Sequence, residues 1–239
     1  MTQPLQTSLA EYSFHRRIHN LIFDELGQAV LRIHNEQFQG TSIADSTQYS
    51  KNQPIRNSNV PRALSYNQIL HKLTNGRIQV ASPADVVHYW SDIPERFSTF
   101  ADTDSISLFS PSGENQDLAQ RVFQLLGRTI TTVPLRVSGL GIEKADNVLG
   151  FTFIQTELTK AVEAPYMTQD GRVCYDPATQ DLRAAQPDER GVQIQIPEAQ
   201  SGLRRAYRNS VNLIFSDDEL LGSCADGQVQ VVQRHPKAA

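Results

Sequence analysis

Two carboxylates with a spacing suited to metal chemistry occur in the stretch FADTDSIS, at Asp102 and Asp104. Carboxylate oxygens are ligands that Mg²⁺ prefers, and two aspartates on one loop can share an ion. A metal-dependent hydrolase or nuclease could use such a loop, with His88 as a further group. A polar loop between a helix and a strand explains the same residues without any metal. Asp102 and Asp104 are therefore metal ligands only under the second of two functional hypotheses.

A basic cluster with an aromatic residue occurs in GLRRAYRNS. Arg204, Arg205 and Arg208 could contact phosphates, and Tyr207 could stack on a base. An exposed charged face, or a set of salt-bridge partners, would have the same composition. These four residues are therefore a nucleic-acid-binding candidate with a structural explanation beside the functional one.

Two histidines one helical turn apart, His15 and His19, have a spacing that can share a metal ion. A metal site needs a third ligand, and the glutamate of an H-E-x-x-H zinc motif is missing between them. We expect a solvated, weakly basic surface there. Substitution of either histidine should leave metal content unchanged.

The composition excludes several classes of protein. The chain has 239 residues and a formal net charge of −4, so it lacks a global basic field for nucleic acid. No stretch approaches the roughly 18 apolar residues that a membrane helix needs, and the start does not resemble a signal peptide. The motifs G-x-S-x-G and G-x-x-x-x-G-K-[ST] are absent, and no cofactor is predicted.

The two cysteines, Cys174 and Cys224, are too few for a disulfide framework. Free thiols in a reducing compartment are expected, which favours a cytoplasmic protein. Whether the two thiols meet stays open.

The segment at residues 16–35, RRIHNLIFDELGQAVLRIHN, has two coherent interpretations. As one helix spanning residues 14–38, it repeats apolar residues at steps of three and four and follows a capping box in Ser8-Leu-Ala-Glu11. As a hairpin, it turns at Asp24-Glu-Leu-Gly27 and pairs the two RIHN copies. We favour the helix, in which no three-histidine site forms, but both interpretations stay open.

Residues 40–64 are predicted to form a long polar arm. The large apolar residues of this segment are few and scattered, and Pro54 and Pro61 keep it extended rather than helical. Because ordering a backbone costs about 1 kcal/mol per residue, we expect the arm to be mobile alone and to bind other protein subunits.

The remaining patterns predict the fold. Helices are expected in SYNQILHKLTNG, in ADVVHYWSDI with Ser82 and Pro83 at its start, and in ENQDLAQRVFQLLG. Beyond them, about six mostly antiparallel strands are expected, with turns near 144–147, 170–171 and 226–227. This divides the chain into a helix-rich region, 1–127, and a β-rich region, 128–239, with a short polar tail. We predict an α+β fold in which a helical N-terminal half packs on a mostly antiparallel, hairpin-rich C-terminal sheet.

The leading functional hypothesis is a non-enzymatic structural or interaction subunit of a larger assembly, such as a phage-like or nucleoprotein particle. It rests on the polar arm, the hairpins and the lack of a catalytic constellation. Its partners would be other protein subunits, bound through residues 40–64, with nucleic acid as a further partner and no membrane. The alternative is the metal-dependent hydrolase or nuclease that uses the Asp102/Asp104 loop.

Overall fold

The computed structural model describes residues 18–92, 100–222 and 225–234. Within those ranges the chain is a mixed α+β fold with four α-helices and thirteen strands, most of them in one large, curled, mixed sheet. The helices are α1 Glu25–Gln37, α2 Val60–Thr74, α3 Pro83–His88 and α4 Gln116–Leu125. The strands are β1 Ile18–Asn20, β2 Ile78–Val80, β3 Ala101–Leu108, β4 Leu135–Ser138, β5 Gly141–Lys144, β6 Phe151–Ile154, β7 Lys160–Glu163, β8 Gly171–Asp176, β9 Asp181–Ala184, β10 Val192–Gln195, β11 Leu203–Arg208, β12 Asn212–Ile214 and β13 Gln228–Gln233.

The large sheet is arranged around β3. Its main path runs β1-β13-β3-β11-β12-β10-β8-β9, with β2 added beside β13, and β4 followed by β7 added beside β3. β5 and β6 form a separate hairpin. Every residue of β3 is buried, because both faces and both edges of the strand are covered. The expectation of a polar loop at Asp102 and Asp104 is therefore wrong.

The pairing of β3 with β11 is interrupted by a bulge. Ile106 pairs with Arg205 and Asp102 pairs with Tyr207, so residues 103–105 lie opposite a single residue of β11. At the same place β3 changes its neighbour on the other edge, from β13 to β4. Bulges of this kind bend a strand and redirect its side chains.

The N-terminal segment is neither one long helix nor a hairpin. β1 pairs with β13, and α1 begins after Asp24, whose carboxylate accepts a hydrogen bond from Gly27 N at 2.9 Å. Asp24 is thus a helix N-cap rather than part of a hairpin turn. A Cβ atom at Gly27 would lie 2.0 Å from the carbonyl oxygen of Ile22, so this close approach requires glycine. Residues 14–17, with His15, and the capping box at residues 8–11 lie outside the described residues.

The other helices match their predicted positions with shifted ends. Ser82 caps α3, and Asp85 completes a capping box with it. The predicted helix after Pro83 is shorter than expected, because a 3₁₀ turn at Trp90–Asp92 follows α3. α2 begins after Asn59, well before the predicted start at Ser65. α2 is buried on most sides because it packs against α1, β2, β3 and β5.

The C-terminal region consists of strands, as expected, but its connections differ. Ten strands lie between residues 135 and 233, and the only α-helices described lie before residue 128. Pairing is mostly antiparallel, with parallel exceptions at β10–β12 and β13–β3. The turn at 144–147 lies in the β5–β6 hairpin. The Asp-Gly pairs at 170–171 and 226–227 lead into β8 and β13 as predicted turns, but neither forms a hairpin, because the strands on either side of each are not paired with one another.

The two sequence regions share one sheet. β3, from the first region, pairs with β4 and β11 of the second. β13, at the end of the chain, pairs with β1, β2 and β3 from the start. The boundary near residue 127 is therefore not a boundary of the sheet.

Residues 40–59 pack on the body of the protein, so the expectation of a mobile arm is wrong. Ile43 and Ile55 are fully buried in the core, and residues 60–64 belong to α2. The Arg62 guanidinium donates to three backbone carbonyl oxygens of the segment at 2.7–3.1 Å. The Asp45 carboxylate accepts from the hydroxyls of Tyr49 and Tyr66. Few apolar residues suffice here because buried polar contacts hold the rest of the backbone.

Candidate interaction site

Asp102 belongs to a buried ion pair. One of its carboxylate oxygens accepts from Arg205 Nη2 at 2.8 Å and from Arg205 Nε at 3.2 Å, and the other accepts from Ser58 Oγ at 2.8 Å. Burial raises the pKa of Asp102 above the ordinary aspartate value, although the Arg205 guanidinium and the Ser58 hydroxyl oppose that change. Both carboxylate oxygens are thus occupied by groups of the protein itself.

Asp104 lies in a different polar cluster. Its carboxylate accepts from Ser105 Oγ at 2.7 Å, and the Asp85–Arg234 ion pair, joined at 2.6 Å and 2.7 Å, is a neighbour. The pKa of Asp104 is raised to about 6, mainly by burial and in smaller part by the Asp85 carboxylate, while the Ser105 hydrogen bond and the nearby arginines oppose that change. Because Asp102 and Asp104 have separate partners, the structure does not bring them together around one position.

No group of three or more histidine, cysteine, aspartate or glutamate side chains suited to a metal ion occurs among the described residues. His19 lies on β1, and its predicted companion His15 lies outside the described ranges. Cys174 is a half-buried free thiol on β8. Cys224 also falls outside the described ranges.

The predicted arginine cluster is largely internal. Strand β11 buries the side chains of Arg204, Arg205 and Arg208. Tyr207 is half-buried, and the Arg205 guanidinium lies over its ring, 4.4 Å from the ring centroid. Arg204 Nη1 donates to a backbone carbonyl at 3.1 Å, and Arg208 Nε donates to Gln230 Oε1 at 3.0 Å. These contacts match the salt-bridge and packing explanation. A nucleic-acid contact at this cluster stays a prediction that the geometry does not favour.

Two edge strands of the curled sheet approach one another across a cavity. Within the described strands, β7 pairs only with β4, and β9 pairs only with β8. Residues of β7 and β9 together line a cavity of 600 Å³. The two free edges of the sheet therefore face a common opening.

The backbone of β9 offers hydrogen-bonding groups to this opening. Ala185, just past β9, donates to a β8 carbonyl oxygen at 2.9 Å, so the alternate residues Leu182 and Ala184 direct their N–H and C=O groups away from β8. The Leu182 N–H is bound by Asp181 Oδ1 at 2.6 Å, and the Ala184 carbonyl accepts from Arg183 at 3.1 Å. Local side chains thus cover part of the β9 edge.

The backbone of β7 is oriented in the same manner. Ala164, just past β7, donates to the Pro134 carbonyl oxygen at 2.8 Å. The alternate residues Ala161 and Glu163 therefore direct their backbone groups away from β4. Ala161 is half-buried and Glu163 is exposed.

A buried polar cluster lies beside the opening. Arg136 of β4 donates to Asp181 of β9 at 2.6 Å, and Lys160 of β7 lies 3.6 Å from the other oxygen of Asp181. Nε and Nη1 of Arg136, Oδ2 of Asp181 and the Tyr166 hydroxyl are buried, without a hydrogen bond of good geometry to any described residue. Burial raises the pKa of Tyr166 to about 12, although the nearby Arg136 guanidinium opposes that change. Asp181 and Tyr166 line the opening, and the Arg136–Asp181 ion pair joins β4 to β9 beside it.

The amino-acid sequence carries no clear signal of this site. Arg136 stands between the apolar Leu135 and Val137, an alternation typical of a side chain that faces water. The curling of the sheet buries both faces of β4 instead, and Asp181 comes from a strand 45 positions further along the chain. Only the weak strand pattern of Lys160–Glu163 would have indicated an edge.

No protein-family model, curated protein or solved structure matches the chain. Within the described ranges, no helix combines the length and the apolarity needed to cross a bilayer.

Proposed function

We propose that this protein is a non-enzymatic interaction subunit of a larger assembly, and that it binds an extended segment of a partner protein between β7 and β9. The observation that carries the proposal is the pair of free strand edges lining one cavity. An added strand would accept and donate main-chain hydrogen bonds along such edges, which is a common mode of peptide recognition.

The lining of the opening is consistent with a peptide as the occupant. Each edge strand has four residues, which matches a short inserted strand. The lining includes both basic side chains, such as Lys160 and Arg172, and acidic ones, such as Glu163 and Asp170. A mixed surface of this kind suits the alternating donors and acceptors of a peptide better than a single highly charged ligand.

The alternative of a metal-dependent hydrolase or nuclease has no geometric support among the described residues. Arg205 and Ser58 already occupy the Asp102 carboxylate, and Asp104 faces another cluster.

Proline substitutions at the two edges should abolish peptide binding without unfolding the protein. Ala161→Pro and Ala184→Pro each remove an outward N–H, and proline is tolerated on edge strands. Peptides selected on the wild-type protein from a displayed random decapeptide library serve as the probe. We expect each proline variant to weaken their binding about tenfold or more, because a main-chain hydrogen bond is lost and the ring blocks the edge. Fluorescence polarisation measures the affinity.

The matched controls are Ala161→Gly and Ala184→Gly, which lose the same methyl group but keep the N–H. They should bind the selected peptides with nearly wild-type affinity. Peptides that bind the proline variants as well as the wild type would refute the proposed site, as would failure to select any peptide. Circular dichroism and the melting temperature show whether each variant is folded.

A further inference from the structure

A second cavity, which we name the aromatic groove, lies between the end of α3 and strands β8 and β10. It measures 460 Å³. Aromatic rings from His88, Trp90 and Tyr175 and the guanidinium-bearing side chains of Arg172 and Arg190 line it. The groove shares Arg172 with the cavity between β7 and β9, but its remaining lining is distinct.

The rings of the groove form a partly open aromatic surface. The centroids of the His88 and Tyr175 rings are 4.0 Å apart, with an angle of 37° between their planes. His88 is exposed, whereas Trp90 and Tyr175 are half-buried. The Arg208 guanidinium lies 6.0 Å from the Trp90 ring centroid. Partly exposed rings held by their neighbours are suitable platforms for stacking a planar ligand.

The charge of the groove is positive although the whole chain is acidic. Arg172 and Arg190 are both exposed, and no aspartate or glutamate is among the residues that line the groove. The neighbouring Glu189 does not neutralise them, because its carboxylate binds Arg183 through two contacts of 2.6 Å. The groove therefore favours an anionic ligand.

The loop that carries Arg190 is fixed in place. The Glu189 carboxylate also accepts from Gln186 N at 2.7 Å, which closes the loop between β9 and β10. The adjacent Gly191 packs so closely that a Cβ atom would lie 2.8 Å from the Val173 carbonyl oxygen. Arg190 thus extends from an ordered backbone beside Arg172, so less entropy is lost when a ligand binds.

We infer that the aromatic groove binds single-stranded nucleic acid. A base stacks on the exposed ring surface of His88, Trp90 and Tyr175, and Arg172 and Arg190 contact the flanking phosphates. A lone phosphate or a polyanion would use the arginines but not the rings. A duplex would keep its bases stacked on each other and unavailable to the rings. This site is separate from the buried arginines of β11 and does not depend on the proposed strand-binding function.

Trp90 provides a direct readout, because it is the only tryptophan of the chain. Titration with a uridine decanucleotide or a thymidine decanucleotide should quench its fluorescence to saturation. Two phosphate contacts predict a slope of about −1.4 for the logarithm of the binding constant against the logarithm of salt concentration. Binding of either single strand supports the inference.

Variants separate stacking from charge, with fluorescein-labelled decanucleotide anisotropy as the measurement. Trp90→Ala should weaken binding about fivefold or more. The double variant Arg172→Ala/Arg190→Ala should bring the slope of the logarithm of the binding constant against the logarithm of salt concentration closer to zero. The control Arg128→Ala, which removes an exposed arginine outside the groove, should have no effect.

Three results would overturn the inference. They are no binding of either single strand, binding that Trp90→Ala leaves unchanged, and equal affinity for inorganic polyphosphate or for a blunt duplex of the same length. Each variant is compared only after circular dichroism shows that it is folded.

Discussion

Asp102→Asn is expected to lower the free energy of unfolding by about 3–5 kcal/mol, because it removes one partner of a buried ion pair. Asp102 is 2% exposed, and its carboxylate binds Arg205 at 2.8 Å. The substitution leaves the guanidinium of a buried arginine facing a neutral amide. Asp217, at 3.3 Å from Arg205, can compensate only in part because it is more exposed. Urea denaturation at pH 7.5 measures the loss.

Asp104→Asn, two positions along the same strand, is the matched control with the opposite sign. The folded-state pKa of Asp104 is about 6, above the ordinary aspartate value of 3.8. The folded protein therefore binds the Asp104 proton more tightly than the unfolded chain does. This preference adds fully to the free energy of unfolding below pH 3.8, and the added stability is lost as the pH rises through 6. Since an amide does not titrate, Asp104→Asn should stabilise the protein by about 2 kcal/mol at pH 8 and have little effect near pH 4.

The pair of variants also tests the metal hypothesis. A shared Mg²⁺ site would make both substitutions abolish stabilisation by added Mg²⁺. Our structural explanation expects opposite effects on stability at pH 8 and no response to Mg²⁺ in any variant. Two results together would contradict this explanation. One is an equal loss of unfolding free energy in both variants, and the other is stabilisation by Mg²⁺ of the wild type but of neither variant.

Deletion of residues 42–58 should leave no cooperatively folded protein. The deletion removes Ile43 and Ile55 from the core and also removes the three carbonyl oxygens that bind the Arg62 guanidinium. The combined loss of apolar burial and of partners for a buried charge exceeds the usual stability of a domain, about 5–15 kcal/mol. Circular dichroism and thermal melting measure the result. A deletion variant with an unchanged melting temperature would restore the hypothesis of an independent arm.

A point substitution gives a graded form of the same test. Ile55→Ala should cost about 2–5 kcal/mol, because Ile55 is fully buried. The matched control is Ile130→Ala, which removes the same atoms from a side chain that is 67% exposed. We expect the control to change the free energy of unfolding by less than about 0.5 kcal/mol.

The sequence by itself determined features that depend on neighbouring residues. Ser82, Pro83 and Asp85 define the start of α3, because a capping box joins side chains to backbone within three positions. The alternation of Val192 and Ile194 in β10 is a local feature of the same kind, since a two-residue period follows from the backbone alone. The mixed α+β class follows from the sum of such local patterns.

Local patterns failed where both sides of a segment were covered. β3 shows no alternation and carries Asp102 and Asp104, which are typical of a loop, yet all eight residues are buried. The scattered apolar residues and the prolines made the segment at 40–64 resemble a solvated arm, although Asp45 and Arg62 have their partners in the interior. The sequence does not show whether a polar residue is buried or exposed. That depends on whether the fold supplies a hydrogen-bonding partner for it in the interior.

Only the tertiary structure decided which residues meet in the buried ion pair and at the two candidate sites. Asp102 and Arg205 are separated by 103 positions, and their contact requires the pairing of β3 with β11. The cavity between β7 and β9 exists because a curled sheet brings its edges together, and the aromatic groove exists because α3 packs beside β8. Strand order and sheet curvature are set by the packing of the whole core. No short stretch of sequence encodes them, because each depends on non-local contacts that form together.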